Sequence, residues 1–266
     1  LGYDSYAHYV TADQMAGKPE AVYELLEGVW TPALEQAKRE MERMQPLFEK
    51  DNGKDAKFES WDWWYYAERV RQQQYALNED VIRSYFSLDN TRQGIFNLAN
   101  RLFGITFRPV TVPLYHNEVS AFEVLDKDES HLGILYFDFH PRAGKGQGAW
   151  CGYFREQRYE ADGTRTAPVV SIVCNFTAPT EATPSLLTLD EVTTLFHEFG
   201  HALHFLFTNV RYNGLINVEG DFVELPSQIM ENWALTPQML RTYATHYRTG
   251  EAIRDQYISR IENSAL

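Results

Sequence analysis

Residues 188–206 constrain this chain more than any other stretch, because they must form a helix that faces two environments at once. Thr188 and Glu191 have the spacing of a capping box, a Thr at the N-cap and a Glu three residues later. Behind them Val192, Leu195, Phe199, Leu203 and Leu206 recur at helical spacing as a packing stripe. The pattern predicts a helix over 189–208. His197 and His201 lie four residues apart on it, about one turn, so both imidazoles share a face and can converge on one ion. Glu198 follows the first histidine, and its carboxylate reaches the edge of such a site without being a ligand.

His197-Glu198-Phe199-Gly200-His201 has the H-E-x-x-H form of zinc proteases. A catalytic zinc takes three protein ligands and keeps one open position. His204 shares the face but lies seven residues after His197, and a rigid helix does not easily wrap three residues over two turns around one tetrahedral ion. It is expected to support the site from behind or to pack. A pattern with a Gly three residues after His201 and a third ligand histidine three further on is excluded, since those positions hold His204 and Phe207. A carboxylate on a later helix remains, and Asp221-Phe222-Val223-Glu224 offers one.

The rest of the chain frames that helix. Over 20–48 apolar residues recur at helical spacing (Val22, Leu25, Leu26, Val29, Leu34, Met41, Met44, Phe48), with a kink or restart expected at Thr31-Pro32 and an end at Asn52-Gly53. A second helix is expected from Ser60, then two shorter ones capped by Asn78 and Thr91, the last stopping at Gly104. From residue 105 the pattern changes. Segments 105–110, 120–125 and 131–140 are short and rich in β-branched or aromatic residues, and 149–159 with 169–176 resembles a hairpin around Asp162-Gly163. Helices return with the one at 189–208, another from near Asp221 through Trp233, one from Thr236-Pro237 to Gly250, and a last one running to residue 266. The expected fold is mostly α with a small antiparallel β-sheet insertion. It divides into a helical segment 1–104, a sheet region 105–176 and a metal-binding helical segment 177–266.

Composition excludes several classes of partner. The 266 residues carry a net charge of −13, which repels nucleic acid and anionic membrane alike. No apolar run approaches the roughly 18 residues of a membrane span. The two cysteines, Cys151 and Cys174, are too few for a disulfide framework and are read as reduced and buried, with a single bridge between them as the alternative.

The run from His197 to His204, with Asp221-Phe222-Val223-Glu224-Leu225-Pro226-Ser227-Gln228 and Glu231-Asn232-Trp233, resembles the thimet oligopeptidase family of zinc peptidases. Tyr136-Phe137-Asp138-Phe139-His140-Pro141-Arg142 with Gly144-Lys145 resembles another block of that family. The resemblance implies one zinc held by His197, His201 and Glu224, with Glu198 as general base. It also implies short unstructured peptides as substrates, cut internally or by release of C-terminal dipeptides. A cytoplasmic location is expected, with a periplasmic one as the alternative. The stretch between His201 and Glu224 is shorter than in familiar members. Members are longer overall, so the resemblance implies the middle of a longer chain, with the oxyanion donors beyond residue 266 and little activity in residues 1–266 alone.

Three further expectations concern supporting residues. Asp221 either caps its helix or accepts an N–H from a ligand imidazole. Glu231, seven residues after Glu224, shares its face and either orients a ligand or stands in solvent. Gly144, Gly146 and Gly148 lack the ending of a phosphate-binding loop, and either let a peptide backbone approach or form a plain surface turn. A non-catalytic module that uses its aromatic, acidic helices to bind a partner is the reading from another class.

Overall fold

The computed structural model describes residues 1–75, 78–212 and 214–264. The last two residues of the expected final helix lie outside them. The chain divides into two compact units. The first comprises Leu1–Asn78 with Glu219–Asp221 and Asn263–Leu266, and the second Glu79–Val218 with Phe222–Glu262. Among the described residues, no helix is long and apolar enough to cross a membrane.

The first unit is built on helices α1 (Tyr6–Thr11), α2 (Pro19–Asn52) and α3 (Trp63–Tyr75). Residues Ser60–Asp62, where α3 was expected to begin, form a 3₁₀ turn ahead of it. The expected restart at Thr31-Pro32 does not occur, and α2 runs through both Pro32 and Pro46. Each proline removes one i→i−4 bond, but the Glu, Leu, Lys and Arg around them are strong helix formers and carry the register onward. Gly53, at φ 88°, ends the helix. Only the C-terminal end of its apolar stripe is covered: Met44 and Phe48 pack with Tyr66, Phe58 and Trp63, whereas Leu25, Leu26, Val29 and Leu34 are exposed.

The second unit begins with α4 (Glu79–Arg83) and α5 (Leu88–Phe103). The cap of α5 is Ser87, not Thr91, because the helix starts a turn earlier. The Ser87 hydroxyl accepts from Asn90 N, and Thr91 is buried in the first turn with its hydroxyl donating to Ser87 O. Gly104, at φ 79°, closes the helix in the left-handed region that glycine enters freely. Strands β1 (Thr106–Pro109), β2 (Ser120–Leu125), β3 (His131–Asp138), β4 (Trp150–Arg155) and β7 (Val169–Val173) form one sheet in the order β1-β2-β3-β7-β4. Strands β5 (Arg158–Tyr159) and β6 (Arg165–Thr166) pair around the Asp162-Gly163 turn.

One ladder departs from the antiparallel expectation. β7 runs parallel to β3, with Ile134 opposite Val169 and Asp138 opposite Val173, so the sheet is mixed. The reason lies in β7 itself. Val169-Val170-Ser171-Ile172-Val173 is a nearly continuous apolar run, which favours an interior place covered on both faces, and it slots between β3 and β4. The edge strand β4 is correspondingly exposed.

Rings fill the space between the sheet and its helices. Phe96 of α5 stacks on Phe107 at 4.1 Å and meets Phe122 and Phe137 edge-on or tilted. Helix α6 (Leu189–Leu206) packs beside β3, β7 and β4. Gly133 of β3 makes that possible, since a Cβ there would lie 2.8 Å from Leu206 Cδ2. Three helices follow: α7 (Leu225–Ala234), α8 (Pro237–Tyr243) and α9 (Asp255–Ser264). The first starts four residues after Asp221, and the second stops at Tyr243 rather than Gly250. Past it the chain turns back, with Thr245 bridging Ala252.

A buried charge network fixes the end of β3. Asp138 receives two bonds from Arg142 (2.6 and 2.8 Å), one from Lys145 Nζ (2.9 Å) and one from Tyr115 Oη (2.9 Å). Lys145, 3% exposed, also donates to the carbonyls of Asp138, His140 and Cys174. Burial pushes the Asp138 carboxyl up, but the bonds from Arg142, Lys145 and Tyr115 together outweigh it and hold the group well below the usual carboxylate range. Asp138→Ala leaves Lys145 as a buried charge without its carboxylate and should cost about 3–5 kcal/mol. A depressed carboxyl stabilises the fold fully above its unfolded pKa of about 4 and loses that contribution as pH falls below it. In urea titrations, therefore, the gap between wild type and Asp138→Ala should be widest near pH 7 and should narrow at pH 3; a gap independent of pH contradicts this account.

Candidate metal centre

Helix α6 begins as its sequence dictates. Thr188 Oγ1 accepts from Glu191 N at 3.1 Å, and Glu191 Oε2 accepts from Thr188 N at 2.8 Å. Val192, Leu195, Phe199, Leu203 and Leu206 are buried on its core side. That burial fixes the rotation of the helix and turns His197 and His201 toward α7, with their rings 5.0 Å apart.

The third group comes from the residue that caps α7. Glu224 Oε2 lies 3.2 Å from His197 Nε2 and 3.1 Å from His201 Nε2. One ligand atom from each of His197, His201 and Glu224 lies within 4.8 Å of the others, the only such triad of metal-binding side chains among the described residues. Two imidazole nitrogens and one carboxylate oxygen form a donor set that suits zinc. The hydroxyl of Ser227 donates to Glu224 Oε2 at 2.8 Å. This bond chiefly draws the Glu224 carboxyl below its ordinary pKa; burial opposes it and the two histidines assist. Burial pushes His201 down, toward the neutral form a metal needs, against the pull of Glu224.

Glu231, left open between orienting a ligand and standing in solvent, sits with its Oε1 2.6 Å from His197 Nδ1. An acceptor there fixes the ring so that Nε2 carries the free lone pair. Glu198 is 5% exposed, and its Oε2 has no hydrogen-bond partner. Burial lifts its carboxyl to about 7, with the Glu224 charge adding and His197 opposing. A buried carboxylate with an orphan oxygen beside a ligand triad is placed to exchange a proton with a molecule that enters the site.

The remaining candidates lie elsewhere. Asp221 belongs to the first unit, where its carboxylate accepts the backbone N–H groups of Met15 and Ala16, both at 3.0 Å. It does not cap α7, whose N-cap is Glu224. His204 continues α6 beyond the ligands, half-buried, with its ring stacked over Phe205. Gly144 and Gly148 adopt positive φ in the loop after β3, and the Asn175 amide pins that loop by donating to Gly146 O and Gly148 O, both at 2.8 Å. A Cβ at Gly144 or Gly148 would meet nothing within 4 Å, so no close approach within the chain requires those glycines.

Gly200 is the residue whose role the motif did not disclose. A Cβ on it would lie 2.4 Å from Pro226 O and 2.6 Å from Ser227 Cα. The backbones of α6 and α7 therefore touch at this point, between His197 and His201 and close to Glu224. A glycine inside a helix costs roughly 0.5–1 kcal/mol relative to alanine, and that cost was the available signal. Ser227, fully buried, is the other residue missed.

Two imidazoles on one helix, a carboxylate from the next and a buried acid between them make up the class of site that could hold a metal ion. The comparisons narrow this class: the sequence profile of Peptidase family M3 matches residues 1–265, and the chain belongs to that family. It is 40% identical over 270 residues to a dipeptidyl carboxypeptidase of Salmonella typhimurium, which covers 100% of this chain and 39% of that protein. Oligopeptidase A of the same organism is 36% identical over 98% of this chain, and saccharolysin of Saccharomyces cerevisiae 32% identical over 98%. The chain spans 39% of the length of each of these relatives.

Two variants test the construction. Gly200→Ala should overpack the crossing at a cost of about 1–3 kcal/mol and shift Glu224 off the imidazoles. Competition with a zinc-chelating dye should then show weakened metal binding at unchanged helicity. Glu231→Gln should lower metal affinity about 10–100-fold by loosening the His197 ring. Full affinity in both variants would refute the architecture described.

Proposed function

We propose that this chain carries the metal ligands, the general base and part of the substrate cleft of a zinc-dependent peptidase that hydrolyses short unstructured peptides. The observation that carries the reading is the convergence of His197 Nε2, His201 Nε2 and Glu224 Oε2 beside the orphan oxygen of Glu198. In this reading His197, His201 and Glu224 would hold the ion. When bound, zinc would lower the pKa of water toward 7 and polarise the scissile carbonyl.

The other steps belong to side chains. Glu198 accepts a proton from the attacking water and returns it to the leaving amine. A carboxyl lifted toward neutrality suits both halves of that task. Glu231 keeps the His197 ring in one tautomer throughout. Strand β4 ends the sheet beside α6, and its free edge offers backbone donors and acceptors to an extended peptide. Helices enter such an edge poorly, which accords with unstructured substrates.

Internal cleavage is favoured over release of C-terminal dipeptides. The open cavity beside the centre is lined by Asp190, Glu198 and Glu231 together with Ala149, Thr193, Thr194 and His197. Acids and hydroxyls suit a peptide backbone or a cation better than a terminal carboxylate. A reducing, cytoplasmic setting accords with two free thiols whose pKa values burial pushes up.

Glu198→Gln separates the roles. The variant should retain one zinc per chain and, in the full-length protein, lose about 10²–10⁴-fold in hydrolysis of a quenched fluorescent peptide. Loss of the metal instead would make Glu198 a ligand. A chain that folds but takes up no zinc would favour the non-catalytic binding module.

A further inference from the structure

We infer that the cavity on the His197 side of the centre is a subsite for an ammonium or guanidinium group of the substrate, with Asp190 as its specificity-determining residue. The inference rests on the peptidase reading above and names the substrate chemistry of the same site.

The cavity, about 480 Å³, opens directly beside His197 and Glu198. Its charged walls are all acidic. Asp190 projects from the first turn of α6, exposed, and makes no ion pair among the described residues. Glu231 gives one oxygen to His197 Nδ1 and keeps the other. Glu198 lies deeper, 5% exposed, with an unpartnered oxygen. Thr193 donates its hydroxyl proton to Leu189 O, so its oxygen faces an entering group as an acceptor only.

Two positive charges oppose a cation here, and both are outweighed. A divalent ion held by two neutral imidazoles and one carboxylate leaves a net charge of about +1, whereas Asp190 and Glu231 together bring −2. The N-terminus of α6 contributes roughly half a positive charge, already met by Glu191 in the capping box. The surplus is negative, and it lies directly beside His197 and Glu198.

The probe is a set of six-residue alanine peptides, acetylated and amidated, carrying one lysine or one norleucine at each position in turn. One further peptide is left with a free amino terminus. Binding is measured on the zinc-loaded chain, after its metal content has been determined. Lysine at one position should bind about fivefold tighter than norleucine there, the size of an exposed ion pair, and the preference should shrink with salt. Asp190→Asn should erase the preference without weakening the norleucine peptide, and Asp190→Glu should restore it. If the free terminus alone gains the advantage, and Asp190→Asn removes it, the ammonium comes from the peptide's end rather than a side chain. Equal binding of lysine and norleucine on zinc-loaded chain, with no advantage for the free amino terminus, overturns the subsite while leaving the peptidase reading intact. Lysine preferred equally at all six positions also overturns it, since net charge alone would do that. A chain that binds no zinc overturns the peptidase reading itself.

Discussion

The backbone contact at Gly200 is the constraint on which the site depends. Helices α6 and α7 ordinarily would be held apart by side chains; here the carbonyl of Pro226 occupies the space a Cβ would fill. That closeness brings Glu224, at the cap of α7, within 3.2 Å of imidazoles on α6. It also sets Glu231, two turns on, against the back of His197. The carboxylate that completes the triad and the acceptor behind His197 thus come from one helix, positioned by one missing methyl group. Pro226 suits this place because the first turn of a helix has no use for its absent N–H.

The chain treats its two buried acids in opposite ways, and the difference separates structure from chemistry. Asp138 is surrounded by donors: three of its bonds tie the end of β3 to the loop that follows, and the fourth comes from Tyr115, ahead of β2. Such a carboxylate stays ionised and exchanges nothing. Glu198 is equally enclosed but has an oxygen that nothing satisfies. In the function proposed above, that unfilled bond is reserved for a molecule that enters the site.

Much of this was legible in the sequence where local chemistry decides the outcome. The capping box at Thr188 placed the start of α6 to the residue, though the helix ends at Leu206 rather than 208, and four-residue spacing put His197 and His201 together, since both depend on neighbours along one helix. The resemblance pointed to Glu224, but a carboxylate 23 positions after His201 is brought to it only by tertiary packing. The same holds for the errors. Thr31-Pro32 carries a helix-start signature, yet the strong helix formers around it prevailed. The parallel pairing of β7 with β3 depends on which strand takes the interior place, and periodicity does not record that. Glu231 could not be separated from a solvated acid without the distance to His197, and Asp221 is bonded to backbone groups some 200 residues away that no local pattern announces.

Because the crossing at Gly200 places α7, the segment 207–224 that joins the two helices is relieved of that duty. Provided the bonds of Asp221 to Met15 and Ala16 and the burial of Ile216 are kept, added length there costs mainly the entropy of closing a loop, which rises by only about 0.6 kcal/mol for each doubling of length. Its length is therefore close to a neutral trait. Insertions or deletions there can accumulate in descendants of the same ancestor while the donor atoms stay in register, so divergence in this connection carries little information about divergence in chemistry.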